Sequence, residues 1–251
     1  MVKGYLPRLM KTRTLYPCIG LCVLLLAGCG GQQREESVTP TVDPAEATAS
    51  SPAPEATALQ EALATRVVFL GNSLSAGYGL DEEQAFPALI QQKIDSLGWN
   101  VTVVNAGVSG ETTAGGLSRI DWLLRDPIDV LVLELGGNDG LRGFATEVTK
   151  QNLQEIIDKT RARYPEAKVV LAGMQVPTNL GPVYTARFRE LFPELAREND
   201  IALIPFLLEG VGGIPELNLP DGIHPTAEGH KIVAETVWKT LGPVLEGLQD
   251  R

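Results

Sequence analysis

The stretch VVFLGNSLSAGYG (residues 67–79) ends an apolar run with Gly71-Asn72-Ser73, then adds several small residues before any amphipathic helix begins. A turn needs one or two such residues. The surplus here sets the Ser73 hydroxyl at the point where the strand stops. The run itself shows no polar alternation, so it reads as a strand covered on both faces, the habit of parallel sheets.

Working outward, apolar runs recur at 101–104, 130–135, 169–172 and 201–204, separated by segments of helical period. Phe86, Leu89, Ile90, Ile94 and Leu97 share one face of the first such segment. Leu153, Ile156 and Ile157 mark a later one, and Ile232, Val233, Val237 and Leu241 mark the last. Strand and helix alternate five times without an internal repeat. The expected fold is therefore α/β, a five-stranded parallel sheet covered on both faces by helices.

In such a sheet the ligand site lies beyond the carboxyl ends of the strands. Strand one leads into Gly71-Asn72-Ser73, strand two into Asn105 through Gly107, Ser109, Gly110 and Thr112, and strand three into Gly136-Gly137-Asn138-Asp139. Strand four leads into Gln175 through Asn179, and the loop after strand five ends in Asp221-Gly222-Ile223-His224-Pro225. Hydroxyl, amide, carboxylate and imidazole thus gather on one edge, which is the inventory of serine-hydrolase chemistry.

A serine hydroxyl is a poor nucleophile until a base takes its proton. The chain holds two histidines. His224 precedes Pro225, which suits the first turn of the last helix, so His224 stands at the rim. His230 lies six residues further on and is carried away from it. His224 is the expected base, and Asp221 is placed to hold its tautomer and stabilise the imidazolium. Candidate oxyanion donors are the Ser73 N–H, the Gly110 N–H and the Asn138 side-chain amide. Glycine at position 110 reads as room for close backbone approach. Glu134 reads as a braced structural acid, Asp139 as a turn or cap carboxylate, and Ser109 as a loop hydroxyl.

The first 28 residues read as an address. Lys3, Arg8, Lys11 and Arg13 form a basic stretch without an acid, followed by the short apolar core CIGLCVLLLAG (18–28). The sequence LAGC (26–29) resembles the lipobox of bacterial lipoproteins, which implies cleavage before Cys29 and lipid attached to it. Several acyl chains on one residue anchor stably where a single myristoyl chain does not. An ordinary signal peptide cut nearby, or an uncleaved signal anchor, is the alternative. Residues 29–64 are dominated by Pro, Ala, Thr, Ser and Glu and read as a disordered tether.

The expected layout is a signal peptide at 1–28, a tether at 29–64 with lipidated Cys29, and a catalytic domain at 65–251. The place expected for it is the cell envelope, facing the periplasm or the outer surface. Gly30 after the lipobox, rather than Asp, points outward where an outer membrane exists. The three cysteines, Cys18, Cys22 and Cys29, all precede the domain, so it is expected to lack a disulfide, a thiolate metal site and a cysteine nucleophile. Loss of the signal removes four positive charges and no negative ones, taking the net charge from −10 to −14. Such acidity argues against nucleic acid or anionic membrane surfaces as partners.

GNSL (71–74), GVSGETT (107–113), LGGNDGLRG (135–143) and DGIHP (221–225) resemble, in order, the motif blocks of the SGNH hydrolases, also called the GDSL esterase/lipase family. The resemblance covers nearly all of 66–248. It implies a three-layer α/β/α flavodoxin-like sandwich with strand order 2-1-3-4-5, without metal or organic cofactor. It also implies Ser73 as nucleophile and oxyanion donor, Gly110 and Asn138 as the rest of the oxyanion hole, and Asp221 and His224 as the rest of a triad. The extended motifs LSAGYG and GGNDGLRG are most similar to the bacterial exported arylesterase, thioesterase and lysophospholipase subgroup. One position departs from the pattern: the acid usual after the first glycine is Asn72 here. Asparagine keeps an acceptor oxygen and gains donors but loses the charge.

Other readings compete with these. The turn after strand one fits neither the dinucleotide pattern nor the P-loop. GVSGE around Ser109 nearly matches the nucleophile elbow of α/β-hydrolases, but Glu111 occupies the second glycine's place. Leu141, Phe144, the segment VPTNLGPVY (176–184) and the loop 209–222 are placed to wall an acyl groove. The expected substrates are carboxylic esters and thioesters with short-to-medium acyl chains, lysophospholipids included, acted on by a monomer. A carbohydrate O-acetylesterase, or a tethered binding lipoprotein impaired in catalysis, is the alternative.

Overall fold

A computed structural model of the chain describes residues 64–249. The signal segment, Cys29 and the tether up to residue 63 lie outside the described residues, as do residues 250 and 251.

Five parallel strands, β1 (Thr65–Gly71), β2 (Val101–Asn105), β3 (Val130–Glu134), β4 (Lys168–Ala172) and β5 (Ala202–Ile204), form one sheet in the order β2-β1-β3-β4-β5. Val67 through Leu70 of β1 and all of β3 are buried, whereas the edge strands β2 and β5 are partly open. Continuous apolar sequence belongs to the strands that bury both faces. The open edge of β2 is blunted by a side chain: Gln91 accepts from the Val103 N–H (2.6 Å) and donates to the Val101 carbonyl (3.0 Å). A side chain that takes up edge groups in this way makes pairing with another chain less favourable.

The major helices are α1 (Ser73–Ala76), α2 (Phe86–Ser96), α3 (Thr113–Leu123), α4 (Gly137–Leu141), α5 (Thr146–Arg163), α6 (Pro182–Asn199) and α7 (Ala227–Gln249). Helices α2 and α7 pack together on one side, and α3, α5 and α6 pack in sequence on the other, giving the three-layer sandwich. The chain leaves β1 toward β2 on one side and returns across it to β3 on the other. The crevice where strand order reverses therefore opens between the carboxyl ends of β1 and β3.

Three local expectations shift. Leu97 is half exposed because α2 ends at Ser96 and the chain turns through Gly98 at φ +69°. Strand β5 is shorter than its apolar run, beginning at Ala202. Pro225 does not open the last helix. It faces Asn218 in an isolated antiparallel bridge, and α7 begins two residues later, with the Thr226 hydroxyl accepting the Gly229 N–H (3.2 Å) as its cap.

Candidate active site

Ser73 is the first residue of α1, directly after β1. Asn72 caps that turn, its Oδ1 accepting the Leu74 N–H at 2.9 Å. Gly77 ends the turn in the left-handed region (φ 70°), so the chain reverses at once and Ser73 stays at the sheet edge. The following loop is stitched to this turn: the Val108 N–H donates to the Gly71 carbonyl (3.0 Å) and Asn105 Nδ2 to the Ser75 carbonyl (2.7 Å). Gly107 is obligatory there, since a Cβ would lie 2.4 Å from the Ala76 nitrogen.

His224 reaches this turn from the other end of the chain. Its Nε2 lies 2.9 Å from Ser73 Oγ, and its Nδ1 lies 2.7 Å from Asp221 Oδ2. Asp221 Oδ1 accepts the backbone N–H groups of Ile223 (2.8 Å) and His224 (3.0 Å), so a tight loop fixes the carboxylate. The hydrogen bond from the His224 ring, then those two amides, hold the Asp221 carboxyl down at about 2. An ionised acceptor at Nδ1 places the imidazole proton there and leaves Nε2 as the acceptor for the serine hydroxyl. The loop is clamped at its base where the Leu219 N–H donates to the His224 carbonyl (2.7 Å).

The proposed oxyanion donors are held from two sides. Asn138 Nδ2 donates to the Glu111 carbonyl (3.0 Å), which ties α4 to the Gly110 loop and leaves the second amide hydrogen for a substrate. Arg142 Nη2 donates to the Gly110 carbonyl (3.1 Å). Gly110 has φ +81° and a Cβ built there meets nothing within 4 Å. The left-handed backbone is a second reason for glycine here, beside the room for close backbone approach read from the sequence. Ser73, as the first helical residue, carries an N–H outside the intrahelical bonds.

The remaining polar groups are structural. Ser109 is exposed, and Glu111 pairs with Arg119 (2.5 Å), so GVSGE is not an elbow. Asp139 accepts from both the N–H and the hydroxyl of Thr113, joining α4 to the start of α3. His230 is buried, accepts the Phe86 N–H at 3.1 Å and stacks on that ring (6.0 Å, 14°). Burial, then the charge of His224, lowers its pKa to about 4.

Glu134 is fully buried and takes four donors: Asn72 N–H (3.0 Å), Asn72 Nδ2 (2.6 Å), Ser75 N–H (3.2 Å) and Ser75 Oγ (2.7 Å). Burial pushes its carboxyl up to about 7 against those donors. Sequence reasoning missed Tyr78, whose ring lies against His224 with centroids 4.4 Å apart. Its place in LSAGYG, five residues after the serine, was the available signal.

A hydroxyl, an imidazole and a carboxylate in one hydrogen-bonded chain, at the switch point of a parallel sheet, define the serine-hydrolase class. The sequence profile of the GDSL-like lipase/acylhydrolase family matches residues 69–232. The chain belongs to that family and is an ester hydrolase. It is 44% identical to Esterase TesA of Pseudomonas aeruginosa over 74% of its length and 92% of that protein. It is 40% identical to Thioesterase 1/protease 1/lysophospholipase L1 of Escherichia coli strain K12 over 73% of its length and 86% of that protein. Among solved structures it resembles the psychrotrophic esterase EstA from Pseudoalteromonas sp., inhibited by monoethylphosphonate, with TM-score 0.69 and 31% identity, covering 72% of this chain and 99% of that one.

Proposed function

We propose that the protein hydrolyses carboxylic esters and thioesters with short-to-medium acyl chains, lysophospholipids included, through an acyl-enzyme on Ser73. The observation that carries this is the contact of Ser73 Oγ with His224 Nε2 at 2.9 Å, with Asp221 behind the ring at 2.7 Å. Ser73 Oγ attacks the acyl carbon while its proton passes to His224 Nε2, and Asp221 stabilises the imidazolium. The oxyanion takes hydrogen bonds from the Ser73 and Gly110 N–H groups and Asn138 Nδ2. Collapse releases the alcohol or thiol, which leaves with the proton held by His224. Water, deprotonated by the same ring, then frees the acid.

Relatives named esterase and thioesterase/lysophospholipase support this substrate range. So do Leu141, Phe144 and Leu180, apolar and exposed on the segments that follow β3 and β4. Every group in the scheme comes from one chain, so the monomer is the proposed active unit. Export and anchoring through Cys29 complete the proposal, resting on residues 1–64. Replacing Cys29 with Ala should abolish incorporation of labelled palmitate.

The test of the chemistry is a fluorophosphonate probe followed by a panel of nitrophenyl esters of increasing acyl length. Wild type should be labelled and Ser73→Ala should not. Activity confined to acetyl esters would reject the proposed range and favour a glycan O-acetylesterase. A folded wild type that resists the probe would favour a binding protein.

A further inference from the structure

Resting on the reading of Ser73 as nucleophile, we propose that Asn72 and Glu134 form a positioning pair that keeps the nucleophile turn intact at alkaline pH, in place of a pair of acids sharing a proton. Asn72 is engaged at both ends of its amide. Its Oδ1 accepts the Leu74 N–H (2.9 Å) and faces Ser73 Oγ (3.4 Å), while its Nδ2 donates to Glu134 Oε1 (2.6 Å). The Leu74 N–H is a donor and the Glu134 carboxylate an acceptor, so only one orientation of the amide satisfies both. Glu134 Oε2 meanwhile gathers the N–H groups of Asn72 and Ser75 and the Ser75 hydroxyl. The residues on both sides of Ser73 are thus fixed to one buried carboxylate from β3, 59 to 62 positions away. The packing leaves little slack, since a Cβ on Gly71 would lie 2.5 Å from Glu134 Oε2.

Among the described residues, no ion pair involves the carboxylate, whose hydrogen-bond partners are Asn72 and Ser75. The other titratable groups of this edge are engaged elsewhere: Asp139 with Thr113, Glu111 with Arg119, Arg142 with the Gly110 carbonyl, Asp221 with His224, His224 with Ser73, and Tyr78 against the His224 ring. His230 holds the Phe86 N–H. The buried part of β1 (67–71), α1 and the rest of β3 contribute no other ionisable side chain. What holds the ionised Glu134 is therefore its four donors, and the asparagine side chain supplies one of them at any pH.

An aspartate at position 72 would bring a second carboxyl within 2.6 Å of Glu134, a spacing that two carboxylates tolerate only with a proton between them. Such a turn would be complete while the proton is present and would open as it leaves. Asn72 removes that dependence.

The experiment is a double-mutant cycle of Asn72→Asp and Glu134→Gln in the full chain, with kcat measured on a nitrophenyl ester from about pH 6 to about pH 10, a span that brackets the release of a shared proton. For Asn72→Asp, the ratio of wild-type to variant kcat should rise about tenfold or more across that range. Glu134→Gln sets amide against amide and should lose activity at every pH. The double variant restores one donor facing one acceptor, so it should exceed Glu134→Gln by about tenfold, with a ratio to wild type that is level with pH. A level ratio for Asn72→Asp, or a double variant no better than Glu134→Gln, overturns the proposal. If Glu134→Gln does not fold, the Asn72→Asp profile decides alone. Ser73→Ala run alongside separates the two claims, because residual labelling there would defeat the nucleophile reading instead.

Discussion

Two carboxylates flank Ser73, and they behave in opposite ways. Asp221 sits in a loop with its side chain 37% exposed, accepts from the His224 ring and two amides, and is held down at about 2. Glu134 sits in the floor of the sheet, accepts four hydrogen bonds, and is pushed up to about 7. Hydrogen bonding alone would rank Glu134 as the stronger acid. Loss of water outweighs it. The comparison separates two jobs: in the proposed scheme the wet carboxylate keeps its charge to meet an imidazolium, while the dry one anchors backbone.

The largest effect that tests this contrast is expected at Asp221. Asp221→Asn keeps the shape but removes the charge and the acceptor that sets the His224 tautomer. The value of kcat/KM should fall about a thousandfold to ten-thousandfold. Thermal unfolding should shift little, because the group is already partly in water. A rate within tenfold of wild type would show that the exposed carboxylate does not do the work assigned to it.

A second effect is smaller and lies in stability rather than rate. Glu134 holds its proton more tightly folded than unfolded, with 4.5 rising to about 7. Its contribution is fully present below about 4.5 and is lost as pH rises through about 7, about 3 kcal/mol in all. His230 runs the other way, since burial lowers it from 6.5 to about 4. Its contribution is present above about 6.5 and is lost as pH falls through about 4, again about 3 kcal/mol. Between these limits the two slopes oppose each other. From about pH 5 to about pH 7, Glu134→Gln should gain stability relative to wild type as pH rises, and His230→Gln should lose it, in urea unfolding. Parallel curves for all three proteins would refute both assignments.

The strands and the rim residues were legible because their signals are local. Val67 to Leu70 and Val130 to Leu133 are unbroken apolar runs, and burial on both faces is what produced them. Ser73, Asp221 and His224 could be found because topology sends every strand end to one edge. What stayed hidden were partners across long separations. Glu134 could be read as braced, but not that its donors were Asn72 and Ser75. The left-handed backbone at Gly110 stayed hidden too, since a φ of +81° leaves the same glycine in the sequence as an open approach would. Pro225 suggested a helix start by propensity, and the bridge to Asn218 overrode it.

The smallest effect belongs to Tyr78, which lies on the wet side of the comparison. Its ring is tilted 35° against His224 at 4.4 Å, yet the residue is half exposed. It therefore adds little to folding while walling one face of the imidazole. With the ring gone, His224 keeps Asp221 behind it but gains freedom to swing off Ser73. Tyr78→Ala should lower kcat about threefold to tenfold, the range of one aromatic contact, with the thermal midpoint nearly unchanged. Tyr78→Phe keeps the face and should keep the rate. If Phe fails as Ala does, the hydroxyl matters and the stacking account is wrong. If neither variant slows the reaction, the Asp221 loop alone orients the base.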